Sequence, residues 1–380
     1  MSTTRIAVVG AGIAGLALAT LLRRAGVDCD VYEQTARFAA VGAGIQLSPN
    51  GVRVLLRLGL GPALAEAGVV ARSIETRRWD DGALLSRVSH GDCERAYGAP
   101  YYLIHRADLQ AALVAMLPAG GARLGRRVDR VTERPEHVEL HLAGGGTATA
   151  DLVIGADGVH SVVREAIVAD EPLFSGYSVY RGLLPAGVMP GLARDPRVLF
   201  WFGPRRHVTY YPIAGRRLIH FSAVAATPGA DPGRAAAEGA ADELAGMFGG
   251  WHPEVRRVVT ATRSVTRWGL FDRDIIPRYG TGRLVLIGDA AHPTLPYLSQ
   301  GANQALEDAE SLAGLLLDDP GAAIRRYESR RRPRTAEVHR QARLRARTFH
   351  LADGPEQRAR DAALAAEQTL DHLHWLYAAA

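Results

Sequence analysis

The sequence predicts an α/β fold in which a parallel β-sheet with flanking helices is interleaved with a second, mostly antiparallel β-sheet domain, followed by a C-terminal helical segment. Three observations predict this architecture. An apolar strand at 6–9 leads into an Ala/Leu-rich helix and a second strand at 28–33, which is typical of a parallel sheet buried on both faces. From about 174 to 268 the strands become rich in aromatic residues. From 320 to 378 the composition is helical, apart from Asp353-Gly354-Pro355.

The remaining elements follow in chain order. Strand-like segments at 71–79 and 83–88, divided by Asp81-Gly82, predict a hairpin inserted into the first fold. The other predicted elements are a helix starting near 106, short strands around 127–142, a buried strand at 151–155, a helix near 233–248, a buried strand at 283–287 and a helix from about 301 to 317.

The two domains take their strands from separate parts of the chain, so no single linker divides them. We see no internal repeat and no low-complexity segment. The predicted boundaries are 1–73, 98–173 and 267–330 for the first domain, 74–97 and 174–266 for the second, and 331–380 for the C-terminal helices.

Composition excludes several classes of protein. A chain of 380 residues that is 47% hydrophobic can bury a large core. All 45 basic residues are arginine, interspersed with 40 acidic residues, and the dense run at 325–334 is typical of a solvated helix face. We therefore expect no nucleic-acid partner. Cys29 and Cys93 match neither a disulfide framework nor a metal site, so no metal is expected.

The chain shows no pattern of a secreted or membrane protein. The apolar run at 6–9 is too short for the core of a signal peptide. No later stretch reaches the ~20 uncharged apolar residues that cross a bilayer. We therefore expect a cytoplasmic protein without a membrane partner.

A glycine-rich motif lies between the first strand and the first helix. It contains Gly10, Gly12, Ala14 and Gly15 in the spacing GxGxxG. Glycines there permit a tight turn and close approach of a pyrophosphate, while the helix N-terminus offers free N–H groups to the phosphates. Glu33, at the end of the second strand, is placed to accept the ribose hydroxyls. The motif predicts a Rossmann-like dinucleotide-binding domain but does not choose between FAD and NAD(P).

Two later segments make that choice through a family resemblance. The stretch Gly155-Ala156-Asp157-Gly158 through Arg164, and Gly288-Asp289 through Pro293 with Gln300-Gly301-Ala302-Asn303, resemble the paired signatures of the class A flavoprotein hydroxylases. This is the family of para-hydroxybenzoate hydroxylase and salicylate hydroxylase. The resemblance covers nearly the whole chain in the same order and spacing. It implies that the Rossmann-like domain binds FAD.

The resemblance assigns roles to residues around the flavin. Asp289 holds the ribityl chain, and the helix N-terminus formed by Gly301, Ala302 and Asn303 points its N–H groups at the flavin pyrimidine, where reduced flavin carries negative charge. Asp157 touches FAD and the pyridine nucleotide. The alternatives are that Asp289 is a helix cap and that Asp157 is a turn residue of an Asp-Gly pair.

Other candidate cofactor contacts rest on single positions. Arg106 matches an arginine that lies along the FAD, although an exposed arginine in a first helical turn has the same pattern. Gly44 and Ile45 belong to a segment resembling the flavin-contacting loop of the salicylate and hydroxynicotinate hydroxylase branch. Arg37 and Val128 complete the predicted cofactor-binding set, and Arg37 is equally typical of a surface residue.

The candidate catalytic residues on the substrate side are His207, Tyr211, Gln46 and Pro296, and we expect His207 and Tyr211 to orient the substrate and help to remove its ring proton. His207 and Tyr211 stand four positions apart on a predicted strand and so share a face, a spacing that the same branch uses for substrate contact. They are equally well interpreted as core residues. By the resemblance, Pro296 lies over the flavin edge. Gln46 and Tyr297 replace histidines of the hydroxynicotinate enzyme, and Ser299 replaces a common glycine, which puts that particular substrate in doubt.

The resemblance implies a single-component, FAD-dependent monooxygenase acting on a small phenolic or heteroaromatic acid-like substrate. NAD(P)H binds transiently as co-substrate and reduces the flavin, and O2 then forms a C4a-hydroperoxide that hydroxylates the ring. Three alternatives stay open: an epoxidase or urate-type hydroxylase of the same superfamily, a flavin dehydrogenase or reductase without oxygen insertion, and a non-enzymatic relative. The sequence leaves monomer and homodimer equally open.

Overall fold

The computed structural model describes residues 4–38, 43–227, 240–262 and 264–378. The strands are β1 Ile6–Val9, β2 Cys29–Tyr32, β3 Gly44–Leu47, β4 Val69–Val70, β5 Ser73–Arg78, β6 Leu84–Ser89, β7 Tyr102–His105, β8 Ala122–Arg123, β9 Val128–Glu133, β10 Val138–Leu142, β11 Thr147–Ala150, β12 Leu152–Gly155, β13 Leu173–Pro185, β14 Arg197–Gly203, β15 Arg206–Ile213, β16 Leu218–Ala226, β17 Thr266–Asp272 and β18 Leu284–Leu286.

The α-helices are α1 Ile13–Arg24, α2 Pro49–Arg57, α3 Gly61–Ala67, α4 Cys93–Tyr97, α5 Arg106–Ala115, α6 Val162–Glu165, α7 Pro190–Arg194, α8 Ala240–Met247, α9 Pro253–Thr260, α10 Gly301–Asp318, α11 Ala323–Thr348, α12 Pro355–Ala366 and α13 His374–Tyr377. Short 3₁₀ turns lie at Ala186–Val188, Gly288–Ala290, Pro296–Leu298 and Asp371–Leu373. In the described part of the chain, no helix is both long and apolar enough to cross a membrane.

The first sheet is parallel, in the order β18-β12-β1-β2-β8. Val8 of β1 lies between Ile154 and Val31 of its neighbours, and β1 is buried along its whole length. Helices α1 and α10 pack against each other beside it. A parallel sheet covered in this way needs apolar side chains on both faces, which is why its strands read as unbroken apolar runs. The predicted parallel sheet is confirmed.

Two small antiparallel sheets join the first fold, in the orders β11-β10-β9 and β3-β7-β4. The second of these changes one expectation. Gly44-Ile45-Gln46, interpreted from the sequence as a loop, is strand β3, whose residue Ile45 pairs with Ile104 of β7. A four-residue strand is held by its partner rather than by its own propensity, so its sequence carries little local signal.

The larger sheet has the order β17-β13-β16-β15-β14-β5-β6 and is antiparallel except for the parallel pair β14–β5. The hairpin β5–β6 therefore joins this sheet and not the parallel one. Helices α8 and α9 cover one face over a core that includes Trp201, Tyr210 and Phe221. Residues 233–239 of the helix predicted near 233–248 lie outside the described residues. Helix α8 is the described part of that predicted helix. Helix α9 was not predicted.

The C-terminal helical segment is confirmed, with α11 packed along α10. The arginine-rich run in α11 is only partly solvated, contrary to its interpretation from the sequence. Arg331 is buried and its Nε donates to Asp308 Oδ1 at 2.7 Å, while its Nη1 donates to Glu307. The two carboxylates come from α10, so this guanidinium joins the two helices. A buried arginine is tolerable only with such partners.

Candidate active site

The glycine-rich turn between β1 and α1 is packed on its inner side and open on its outer side. Gly10 has φ +103°, and a Cβ there would lie 2.4 Å from Ala156 O. A Cβ at Gly15 would lie 2.0 Å from Gly10 O, so α1 touches the turn. A Cβ at Gly12 would meet no described atom within 4 Å. Gly12 therefore exposes backbone beside the N-terminus of α1, as pyrophosphate binding requires.

Glu33 lies beside this turn, at the end of β2. Its Oε2 accepts a hydrogen bond from Ala11 N at 2.9 Å, and its Oε1 accepts one from Thr35 N at 2.9 Å. The side chain of Gln110, on α5, donates to Ala11 O at 2.9 Å and fixes the turn from the other side. These bonds orient the Glu33 carboxylate next to the exposed backbone of the turn, where the ribose of a bound dinucleotide would lie.

Asp289 and the N-terminus of α10 lie side by side. Asp289 Oδ1 is 3.6 Å from the position of a Cβ on Gly301. The side chain of the N-cap residue, Gln300, makes no capping hydrogen bond to α10. The first N–H groups of the helix, at Gly301, Ala302 and Asn303, therefore stay available to a ligand. Asp289 is exposed to solvent. Its pKa is nevertheless raised, because the partial loss of water around the carboxylate outweighs the charges of His292 and Arg106, which lower the pKa. Both features are those of a side chain in a cleft.

The glycine-rich turn after β1 and the turn at Gly288–Ala290 also meet through small residues. Gly288 has φ +59°, and a Cβ there would lie 3.2 Å from Ala14 Cβ and 3.3 Å from Ala305 Cβ. Ala14 of α1 and Ala305 of α10 thus let the segment bearing Asp289 approach the glycine-rich turn. The predicted ribityl-binding and pyrophosphate-binding residues are brought to one cleft.

The other predicted cofactor residues occupy different surroundings. Asp157 Oδ2 accepts from Val162 N at 2.9 Å, whereas its Oδ1 is buried without a hydrogen-bond partner among the described residues. Arg106 begins α5 beside β3 and Asp289. Arg37 is exposed after β2, and Val128 is buried at the start of β9. The roles of these four residues stay predictions.

The face of the large sheet opposite α8 and α9 carries the candidate substrate residues. In the pairing across β13, β16 and β15, Leu183, His220 and Tyr211 form one row. The next row on that face is Arg181, Ser222 and Thr209, and the third is Val179, Val224 and His207. Residues two apart on a strand point to the same side, so the three rows form one continuous surface. His207 and Tyr211 share it, as the sequence predicted.

Strand β3 lies against the Tyr211 end of this surface. A Cβ on Gly44 would lie 2.8 Å from Tyr211 Cε2 and 2.7 Å from His220 Cγ, so only glycine permits this approach. Gln46, two residues along, accepts a hydrogen bond from the Tyr101 hydroxyl at 2.8 Å. Burial raises the pKa of Tyr211, while Arg181 and a hydrogen bond with Gln46 lower it. Tyr211 is therefore a neutral phenol in the resting protein.

His207 lies at the other end of the surface, among aromatic rings. Its Nδ1 is 2.8 Å from His350 Nε2, and the two imidazoles are stacked. Tyr297 lies beside both rings, with its hydroxyl buried and unbonded among the described residues. Pro296 precedes Tyr297 and is exposed. The structure thus brings Pro296 and His207 to one region and Gln46 and Tyr211 to another region of the same surface.

Some site residues were not found from the sequence. Arg181, His220, Tyr101 and His350 carry no motif, and their proximity depends on strand pairing and helix packing between distant segments. Trp201 and Tyr210 belong to the opposite face of the sheet, in the core covered by α8 and α9. Neighbours on a strand alternate between faces, so Tyr210 and Tyr211 cannot both line the site.

These arrangements fit a flavin dinucleotide: exposed backbone for a pyrophosphate, a carboxylate for each sugar-like chain and a helix N-terminus for an anionic ring. The comparison with protein families agrees, since the family described as FAD binding domain matches residues 3–342. The chain is 62% identical over 377 residues to the 3-amino-4-hydroxybenzoate 2-monooxygenase of Streptomyces cremeus, covering 98% of this chain and 94% of that protein.

Solved structures show the same similarity in three dimensions. A salicylate hydroxylase substrate complex is 31% identical with a TM-score of 0.81, covering 99% of this chain and 95% of that one. Klebsiella pneumoniae HpxO complexed with FAD and uric acid is 28% identical with a TM-score of 0.87, covering 97% and 94%.

Proposed function

This chain belongs to the FAD-binding-domain family of flavoprotein hydroxylases and is an FAD-dependent aromatic monooxygenase, and from that premise we propose that it hydroxylates 3-amino-4-hydroxybenzoate. The observation that carries the proposal is the 62% identity to an enzyme with that name, extending over 98% of this chain. The name of that relative specifies ring position 2 as the site of oxygen insertion. Position 2 is adjacent to the amino group, whose lone pair raises the electron density of that carbon.

The proposed reaction consumes one NAD(P)H, one proton and one O2. One oxygen atom enters the C–H bond of the ring and the other leaves as water. FAD, when bound, supplies the transfer of two electrons from the nicotinamide and the activation of O2. Gly12, Glu33, Asp289 and the N-terminus of α10 are the residues that would hold it.

The protein's own contribution to the chemical step is to position the ring and exclude water. Tyr211 is a buried, neutral phenol held by Gln46, so it orients the substrate through a hydrogen bond and does not act as a phenolate base. Gln46 is itself held by the Tyr101 hydroxyl. At the far end, His207 and its apolar neighbours limit the access of water, which would otherwise divert the oxidant to hydrogen peroxide.

The test is to incubate the flavin-loaded protein with NADH or NADPH, isotopically labelled O2 and 3-amino-4-hydroxybenzoate. We expect the substrate to accelerate NAD(P)H oxidation and the product to carry one labelled oxygen atom. Salicylate, 3-hydroxybenzoate, 6-hydroxynicotinate and urate serve as competing substrates. Rapid NAD(P)H oxidation that yields only hydrogen peroxide with 3-amino-4-hydroxybenzoate, or a faster coupled reaction with a competitor, would show that the proposed substrate is wrong.

A further inference from the structure

Arg181 is a charged residue on the substrate-facing surface that the reaction described above does not use. It lies on β13, in the same cross-strand row as Ser222 and Thr209. The neighbouring row contains His220 and Tyr211, and Arg181 is near enough to both for its charge to act on them. Its guanidinium therefore faces the region in which Tyr211 and Gly44 approach each other.

The surrounding protein partly removes this guanidinium from water without providing a counter-ion. Burial lowers the pKa of Arg181, and the nearby charge of Arg106 lowers it further. In the described part of the chain, no carboxylate forms a salt bridge with Arg181. Its neighbour His220 is also uncharged, since burial lowers the pKa of that imidazole to about 3. The region thus has a positive charge that the protein itself does not neutralise.

The arginines that are fully buried in the described part of the chain all have acidic partners. Arg164 and Arg273 both bind Asp170, and Arg331 binds Glu307 and Asp308. Each of these guanidinium groups has a carboxylate within salt-bridge distance, as the cost of burying a charge requires. Arg181 is only partly buried, and its nitrogen atoms are not among the enclosed, unbonded atoms of the described residues. They stay accessible from the cleft, so an anion can reach them from there.

We propose that Arg181 binds the carboxylate of an aromatic acid substrate, with the cross-strand hydroxyls of Ser222 and Thr209 beside it. This inference rests on the proposed function and specifies how the site selects its substrate. The planar guanidinium matches a carboxylate with two parallel hydrogen bonds, and a ligand that brings its own negative charge completes the ion pair. An acid bound at Arg181 also lies within reach of Tyr211, which then orients the opposite part of the ring.

The consequence is a preference for acids over neutral rings of the same shape. A charge-assisted bond that is lost without replacement costs roughly 10- to 100-fold in affinity. The experiment measures the dissociation constants of the FAD-loaded protein for matched pairs, each an aromatic acid and its carboxamide, from the perturbation of flavin absorbance. The acids are 3-amino-4-hydroxybenzoate, 3-hydroxybenzoate and 6-hydroxynicotinate. We expect the native protein to bind at least one acid at least 10-fold more tightly than its carboxamide.

In Arg181→Gln we expect that acid to bind roughly 10- to 100-fold more weakly while the carboxamide changes little, so that the preference disappears. Arg181→Lys keeps the positive charge but loses the planar guanidinium with its two parallel donors. This variant should therefore retain part of the preference for the acid. Arg267→Gln is the matched control, because Arg267 pairs with Tyr180 across the same sheet but bonds to Glu243 on the opposite face. The flavin content of each variant shows whether it has folded.

The outcomes separate this inference from the proposed function. If Arg181→Gln keeps the preference for the acid, or if the native protein binds acids and carboxamides equally, the inference is wrong even when 3-amino-4-hydroxybenzoate is hydroxylated. If that compound is not a substrate but another acid binds in an Arg181-dependent way, the carboxylate site stands and the proposed substrate is wrong. If urate binds with the same dependence on Arg181 and more tightly than every acid, the carboxylate is not the group that Arg181 recognises.

Discussion

His207 Nδ1 and His350 Nε2 lie 2.8 Å apart, and the two imidazole rings are stacked. His207 lies on β15, and His350 is the second residue after the end of α11. One ring must donate and the other accept, so at least one of them is neutral. Burial, together with the charge of its partner, lowers the pKa of His207 well below its ordinary value, and burial lowers the pKa of His350 to about 4. The hydrogen bond that joins the large sheet to the C-terminal helices through this pair persists only while at least one ring is neutral.

The first prediction concerns the pH dependence of stability. An imidazole with a lowered pKa takes up its proton more readily in the unfolded chain, so folding stability is fully present above about pH 6.5 and falls toward pH 4. We expect the melting temperature to decline over this window, and less steeply in His350→Gln. Thermal unfolding at a series of pH values measures both slopes. The control His137→Gln, in a turn, should keep the native slope, and a native slope in His350→Gln would contradict the assignment.

The second prediction concerns flavin retention. Asp289→Ala removes the cleft carboxylate beside the N-terminus of α10, so the variant should purify largely without FAD, as judged by the flavin-to-protein absorbance ratio. Asp318→Ala, at the other end of α10, removes only an exposed ion pair with Arg326 and should keep its flavin. Full flavin content in Asp289→Ala would mean that Asp289 does not hold the cofactor.

The third prediction concerns coupling of NAD(P)H oxidation to hydroxylation. Tyr211→Phe removes the hydroxyl that we propose orients the substrate but leaves flavin reduction possible. We expect the ratio of product to NAD(P)H consumed to fall while hydrogen peroxide rises. Tyr210→Phe is the matched control on the opposite face, where the hydroxyl donates to Glu254 at 2.6 Å. It should lower thermal stability and keep the native ratio. An unchanged ratio in Tyr211→Phe would assign Tyr211 to packing alone.

The fourth prediction concerns the buried ion pair between α10 and α11. Arg331→Met leaves Asp308 buried without a guanidinium and Glu307 with that of Arg334 alone, and the free energy of unfolding should fall by about 3–5 kcal/mol. Arg326→Met removes a surface ion pair of the same helix and should cost at most about 1 kcal/mol. Denaturant titration of the two variants compares these values. Equal effects would show that the helix junction does not depend on the buried pair.

The fifth prediction concerns backbone strain beside the flavin site. Ser299 has φ +53°, a left-handed conformation that costs a residue with a side chain about 1–2 kcal/mol. Ser299→Gly removes that cost but gains entropy in the unfolded chain, so a net stabilisation of about 0.5–1 kcal/mol is expected. Calorimetry measures it. Because Ser299 O still accepts from Asn303 Nδ2, flavin content should not change. A lower melting temperature would contradict this account of the turn.

The sequence predicted the parts of the fold that local patterns specify. The strand Ile6–Val9, the helix behind it and the helix beginning at Gly301 have unbroken apolar or helical patterns, and the structure contains them with nearly the predicted bounds. It did not predict β3 as a strand, because the partner that makes it one, Tyr102–His105, is more than fifty residues away. Arginine-rich α11 was interpreted as solvated since a sequence does not reveal which arginine meets Asp308.

The residues predicted to hold the cofactor were recognisable in the sequence for a related reason. Glycines and carboxylates in a fixed spacing are demanded by the dinucleotide itself, so Gly12, Glu33 and Asp289 stand in recognisable motifs. The substrate side is built from single residues brought together by strand register. Arg181 and His220 become neighbours of Tyr211 only because β16 lies between β13 and β15. One strand-spacing rule was enough to pair His207 with Tyr211, but not to find their neighbours.

The interleaving of the two sheets sets the order in which a newly made chain can mature. Strand β1 emerges from the ribosome first, yet its sheet lacks the edge strand β18 until most of the chain has been synthesised. In the large sheet, β5 is synthesised long before β14, the strand with which it pairs in parallel. Asp289 and the N-terminus of α10 follow β18 in the chain. The residues predicted to hold FAD are therefore completed late in biosynthesis. A chain released before that point would present unpaired strand edges to its neighbours, the kind of surface on which nascent proteins aggregate.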